Sequence, residues 1–183
     1  TRDALHLLRV LALLLPSHTV RFRRDRINPQ CIVLSDASFA AGHKWLGFVV
    51  ACPIRGMVWA GIPTPRWLLD LLRQHKERDT YIGQLEQAAA AAVYYSLPEE
   101  WFADRPVMHY IDNQGCTYAL INGRSNDPDM NRLVFITRMK MLSLRCDAWF
   151  DYVASASNIA DLPTRLDDDA MLRLNRIARR VRV

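Results

Sequence analysis

The stretch Cys31-Ile32-Val33-Leu34-Ser35-Asp36 constrains the chain more than any other. Its apolar, β-branched residues lie between Pro29 and the small residues Ala40, Ala41 and Gly42, and they read as a buried strand leading into a turn. The strand ends on a carboxylate. An acid taken out of water is costly unless it is paired, hydrogen-bonded or bound to a cation. Asp36 alone has a plain reading as a turn residue beside Ser38. The pattern recurs, however. Val107-Met108-His109-Tyr110-Ile111-Asp112 is a second strand ending on an acid, and Asp161 follows a further strand at 148–153.

The remaining elements follow from spacing and punctuation. Residues 44–51 and 57–62 read as strands joined by a turn at Pro53, Arg55 and Gly56, so the first three strands make an antiparallel meander. Helical spacing covers 66–76, with Trp67, Leu68, Leu71 and Leu72. Residues 81–97 form the clearest helix, with Thr80 as N-cap, five alanines from Ala88 to Ala92, and Pro98 after its end. Glu86 lies in its small-residue, apolar part. A short helix follows Asn113 and stops at Asn122-Gly123. The helix over 129–145 turns Leu133, Ile136, Met139, Met141, Leu142 and Leu144 inward, and a basic tail helix spans 168–181. The expected fold is α/β: a five-stranded mixed sheet, three antiparallel strands then two parallel, flanked by helices. His109 and the five tryptophans are expected in the core.

Charge and cysteine usage narrow the function classes. The 183 residues carry 50% hydrophobic and 23% charged side chains, which suits a packed domain and excludes a disordered tail. A net charge of +5, carried almost wholly by arginine, favours a polyanionic partner. Cys31, Cys52, Cys116 and Cys146 show no paired metal-ligand spacing, so a reducing, intracellular compartment is expected. No apolar run is long enough for a membrane span. Residues 3–15 read as a helix apolar on almost every side, which expects a partner, followed by the basic cluster Arg21, Arg23, Arg24 and Arg26 around Phe22. The chain starts at Thr1, as a piece of a longer polypeptide or a processed product would.

If the strands bearing Asp36 and Asp112 are neighbours, both acids emerge at one sheet edge, and the helix over 81–97 can bring Glu86 alongside. Carboxylates crowded in this way repel strongly. Divalent cations relieve the repulsion, and oxygen-only ligands point to Mg²⁺ or Mn²⁺. Two such ions about 4 Å apart suit phosphodiester hydrolysis. Each acid also has a plain structural reading. Glu86 could pair with an arginine, Asp112 could hold a turn with Asn113, and Asp161 could cap the last helix.

Four segments resemble the ribonuclease H domain of retroelement reverse transcriptases, of the type found in DIRS-like and LTR-type elements. They are Leu34-Ser35-Asp36-Ala37-Ser38, Ile82-Gly83-Gln84-Leu85-Glu86, Tyr110-Ile111-Asp112-Asn113, and the stretch from Tyr152 to Arg165 that ends Asn158-Ile159-Ala160-Asp161-Leu162-Pro163-Thr164-Arg165. The resemblance implies a ribonuclease H-like fold over 29–166, after an N-terminal helix and basic connecting segment at 1–28 and before the basic tail helix at 167–183. It implies Asp36, Glu86, Asp112 and Asp161 as catalytic and metal-binding residues for two Mg²⁺ or Mn²⁺ ions, and endonucleolytic cleavage of RNA paired to DNA. Ser38, Asn113, Arg21, Arg23, Arg24, Arg124 and Arg165 are the expected nucleic-acid contacts. A polymerase domain or assembly partner is expected against helix 3–15. Two features depart from many cellular ribonucleases H: Ala37 stands where they have glycine, and the loop Val153–Ser157 holds no histidine. The alternative reading is a non-catalytic ribonuclease H-fold component of a ribonucleoprotein assembly such as a ribosome, binding structured RNA or protein.

Overall fold

The computed structural model describes residues 30–40, 42–75, 80–165 and 167–183. The expected helix 3–15 and the arginines Arg21, Arg23 and Arg24 lie outside these described residues. Strands β1 (Cys31–Ala40), β2 (His43–Cys52) and β3 (Gly56–Pro63) form the antiparallel meander. The turn after β2 ends on Gly56, whose φ of 80° suits a residue without a Cβ. Two helices, α1 (Arg66–His75) and α2 (Ile82–Ser96), lead to β4 (Pro106–Ile111), which pairs in parallel with β1. Two more, α3 (Gln114–Asn122) and α4 (Pro128–Ser143), lead to β5 (Asp147–Tyr152), parallel to β4. These crossovers are what parallel pairing requires.

The sheet has six strands where five are expected, in the order β5-β4-β1-β2-β3-β6. After the short helix α5 (Leu162–Arg165), α6 (Asp168–Ile177) is capped by Asp167, whose carboxylate accepts from the N–H groups of Asp169 and Ala170. It stops four residues before the predicted end. Ala178 is extended (φ −144°, ψ 149°), and β6 (Arg179–Arg180) pairs with β3 at Val58 and Trp59. The arginines at 179–182 fit the polar face of a helix equally well. Burial of Ala178 and pairing along the β3 edge decide for the strand.

Helices cover both sheet faces. On one, α2, α3 and α4 enclose a core that includes Val33, Phe48, Val107, Ile111, Leu120, Val134 and Phe150. On the other, α6 and the segment before it cover Val49, Trp59, Ala160, Leu174 and Ala178. The alanines of α2 let its backbone lie close to β1, and every residue from Gln84 to Ala91 is buried. The inward stripe of α4 is Met130, Val134, Thr137 and Met141, a clean helical repeat, whereas the expected Ile136 is exposed. Trp59 and Trp101 are buried as expected, but Trp67 (67% exposed) and Trp149 (66%) are not. Trp67 is on the outer side of α1, whose Leu68 and Leu72 face the core, and Trp149 sits on the edge strand β5.

The segment 159–165 sits directly on the sheet because two strand residues have no side chains. A Cβ on Gly47 would come within 2.6 Å of Thr164 Cγ2 and 2.9 Å of the Ala160 carbonyl oxygen, and one on Gly61 would overlap the Pro163 carbonyl. We therefore expect Gly61→Ala to lower stability by roughly 1–3 kcal/mol, as other overpacking changes do. Urea unfolding of the full chain measures it, and an unchanged midpoint would show that this contact is not tight.

Candidate functional site

The site begins with strand register. β1 and β4 pair in parallel up to Ser35↔Ile111, so the next step along each strand sets Asp36 beside Asp112. Asp36 lies within β1, which continues to Ala40, and does not end it as the sequence suggested. Asp112 lies just past the end of β4. Glu86 comes from the part of α2 packed on β1. Carboxylate oxygens of Asp36, Glu86 and Asp112 all lie within 4.8 Å of one another. Asp36 is 6% exposed and Glu86 7%, and Asp112 is half-buried.

Neighbouring side chains hold the acids in place. Thr164 Oγ1 donates to Asp36 Oδ2 at 3.1 Å and also lies 2.8 Å from the Asp161 carbonyl oxygen. The Asn113 side chain hydrogen-bonds Glu86, while its Oδ1 accepts from Cys116 N–H at 3.1 Å and caps α3. Burial pushes the Asp36 carboxyl up to about 7, with the charge of Asp112 and then of Asp161 adding to the shift and the Thr164 hydrogen bond opposing it. Burial pushes Glu86 up to about 8, with Asp112 and Asp36 adding and Asn113 opposing. Glu86 Oε2 and Asp112 Oδ1 are buried without a hydrogen-bond partner. Buried carboxyl oxygens without partners are costly for a folded chain to keep. A hard divalent cation such as Mg²⁺ or Mn²⁺ fits this donor set, because it would satisfy both oxygens and offset the repulsion.

Asp161 stands apart from the other three. It ends a 3₁₀ turn (Ile159–Asp161), and its carboxylate pairs with Arg165 one helical turn on. It lines a cavity of about 400 Å³ together with Asp112, Ser155, Asn158, Ile159 and Arg165. The arginine partner foreseen as a plain role for Glu86 thus belongs to Asp161. Of the expected nucleic-acid contacts, Arg165 is exposed on the cavity wall and Arg124 is exposed just beyond α3. Asn113 is turned to Glu86, and Ser38 Oγ donates to the Thr164 carbonyl oxygen at 3.3 Å.

Sequence reasoning assigned no role to Asn158 or Thr164, although both lie in the 152–165 stretch that carries part of the resemblance. Asn158 is buried. Its Nδ2 donates to the Ser35 carbonyl oxygen at 3.1 Å, and its Oδ1 accepts from Ala160 N–H at 3.2 Å. Below the acids, the fully buried His109 ring lies between Ser35 Oγ (2.9 Å) and Tyr94 OH (3.0 Å), tying β1, β4 and α2 together. Burial lowers the His109 pKa to about 3, so the ring is neutral at physiological pH.

No protein-family model and no curated protein matches this sequence. Solved structures do match its fold. RNase H1 from the halophilic archaeon Halobacterium salinarum superposes with a TM-score of 0.55 at 20% identity, over 72% of this chain and 90% of that one. LC11-RNase H1, isolated from compost by a metagenomic approach, gives 0.54 at 13% identity, over 79% and 99%. The N-terminal RNase H domain of a Mycobacterium tuberculosis protein gives 0.51 at 16% identity, over 81% and 97%. A further structure of LC11-RNase H1, in complex with an RNA/DNA hybrid, gives 0.51 at 14% identity, over 78% and 99%. The chain has the ribonuclease H fold.

The raised acids set a pH dependence. Their ordinary values are 3.8 for Asp36 and 4.5 for Glu86, against about 7 and about 8 in the fold. Below about pH 4 folded and unfolded chains both hold these protons, whereas between about 4 and 8 only the folded chain retains them. Stability in chelator therefore falls as pH rises through this window and levels off above it. Glu86→Gln should flatten the slope and melt higher than wild type at the alkaline end. Thermal melts across pH check this, and stability rising over the window would mean that the acids are not crowded.

Proposed function

We propose that the chain is a metal-dependent endonuclease that cleaves the RNA strand of RNA:DNA hybrids, as the ribonuclease H part of a retroelement reverse transcriptase. The observation that carries this reading is the Asp36–Glu86–Asp112 cluster, with its two orphaned buried oxygens, on a ribonuclease H fold. The hybrid-bound LC11-RNase H1 supports the choice of substrate by analogy of fold. The retroelement context rests on the sequence motifs.

Asp36, Glu86 and Asp112 would hold divalent ions, with Asp161 completing the set. Bound there, such ions supply Lewis acidity toward a phosphodiester and offset the charge of the acids. The chain's own residues set the rest. Thr164 fixes the carboxylate of Asp36, and Asn113 fixes that of Glu86, so the cluster meets substrate already oriented. The cavity beside Asp112 gives a backbone phosphate room next to the acids. Arg165 on its wall places a guanidinium fork there, suited to phosphate oxygens. Exposed Arg124 supplies a further cationic contact for the duplex backbone, and the sequence-based expectation adds Arg21, Arg23 and Arg24, which lie outside the described residues.

Purified chain with Mg²⁺ or Mn²⁺ should cut the RNA of an end-labelled hybrid and leave single-stranded RNA and duplex DNA intact. Asp112→Asn should reduce cutting by about a hundredfold or more, with its circular dichroism unchanged. Folded wild-type protein that is as inert on hybrid as the variant overturns the proposal. Tight binding of structured RNA without cleavage would point to the assembly-component reading.

A further inference from the structure

Where β1 begins, five residues before Asp36, two thiols face each other. One step beyond the Ile32↔Ala51 pair, Cys31 opens β1 and Cys52 closes β2, so the two are directly opposed across the antiparallel pair. Both are buried, at 0% and 2% exposure, in one core cluster, and their thiols lie close enough to shift each other's titration. Directly opposed residues in an antiparallel pair have Cα atoms about 4.5–5.5 Å apart, within the span a disulfide bridges.

The surroundings distinguish the two sulfurs. Cys31 Sγ lies 3.4 Å from the Trp101 carbonyl oxygen, and burial followed by the Cys52 contact pushes its thiol up to about 12. Burial acts in the same sense on Cys52. There it is outweighed by hydrogen bonds from the Ile54 and Arg55 backbone and from Cys31, with Arg105 adding positive charge, so this thiol falls below its ordinary value. Cys52 also adjoins the exposed hairpin turn at 53–56.

We propose that Cys31 and Cys52 form an oxidation site that hydrogen peroxide converts to an intramolecular disulfide, with Cys52 as the attacking thiol and Cys31 as the resolving one. The Cys52 thiolate attacks one peroxide oxygen, the O–O bond breaks, hydroxide leaves, and Cys52 becomes a sulfenic acid. The Cys31 sulfur then attacks the Cys52 sulfur. The S–S bond forms as the S–O bond breaks, and the hydroxyl departs with the Cys31 proton as water. Two thiols are oxidised and one peroxide is reduced, and with the proton first lost by Cys52 the products are two waters. The product staples the first residue of β1 to the last residue of β2.

Peroxide treatment of the intact chain in chelator, followed by digestion and mass spectrometry, tests this. The expected result is a Cys31–Cys52 linked peptide, with free thiols falling from four to two and returning on reduction. Cys31→Ser should leave Cys52 as a sulfenic acid that dimedone traps, and Cys52→Ser should give neither product. If either variant fails to fold, the wild-type peptide map decides. Oxidation of Cys116 or Cys146 while Cys31 and Cys52 stay reduced overturns the proposal. So does linkage that forms only between molecules or only in denaturant.

Discussion

Mutual repulsion among Asp36, Glu86 and Asp112 is the constraint the rest of the structure has to meet. Burial of Asp36 and Glu86 carries a desolvation cost, and carboxylate oxygens within 4.8 Å of one another add like-charge repulsion to it. Nothing in strand pairing or helix packing favours that arrangement by itself. It persists because each acid belongs to a different rigid element, and the elements are fixed to one another by contacts elsewhere.

Those contacts form two layers. Beneath the acids, the neutral His109 ring joins Ser35 on β1 to Tyr94 on α2, a fully buried polar tie. Beside them, the segment 158–165 clamps onto the sheet: Asn158 holds the β1 backbone at Ser35, Thr164 holds the Asp36 carboxylate, and Gly47 and Gly61 leave space for the backbone between. The segment that orients the first acid also carries the last, Asp161. In this state that fourth carboxylate is paired with Arg165.

The strands and α2 were legible because their patterns are local: apolar runs between turn residues, and five consecutive alanines that admit a close-packed helix. The acids were legible only as a set, since each alone fits a turn, an ion pair or a cap. What the sequence hid depends on partners far along the chain. The Thr164–Asp36 and Asn158–Ser35 bonds span 128 and 123 residues, and no spacing rule reports them. The sixth strand was hidden because Arg179 and Arg180 suit a helix surface as well as an edge. Trp67 and Trp149 misled because an aromatic in a regular element is usually buried, and here both lie on outer surfaces. The turn of α4 by which Val134 replaces Ile136 in the core depends on how that helix meets α2, which apolar spacing alone leaves open.

The clamp at Asn158 also separates two parts of the chain that adjoin in sequence. Residues 154–157, between β5 and Asn158, are exposed, whereas Asn158, Ala160, Pro163 and Thr164 are buried against the sheet. A loop anchored at both ends on rigid structure can lengthen, shorten or change composition at little thermodynamic cost. The rim of the cavity is in this sense a replaceable tip, open to retailoring over evolution while the carboxylates behind it keep their positions.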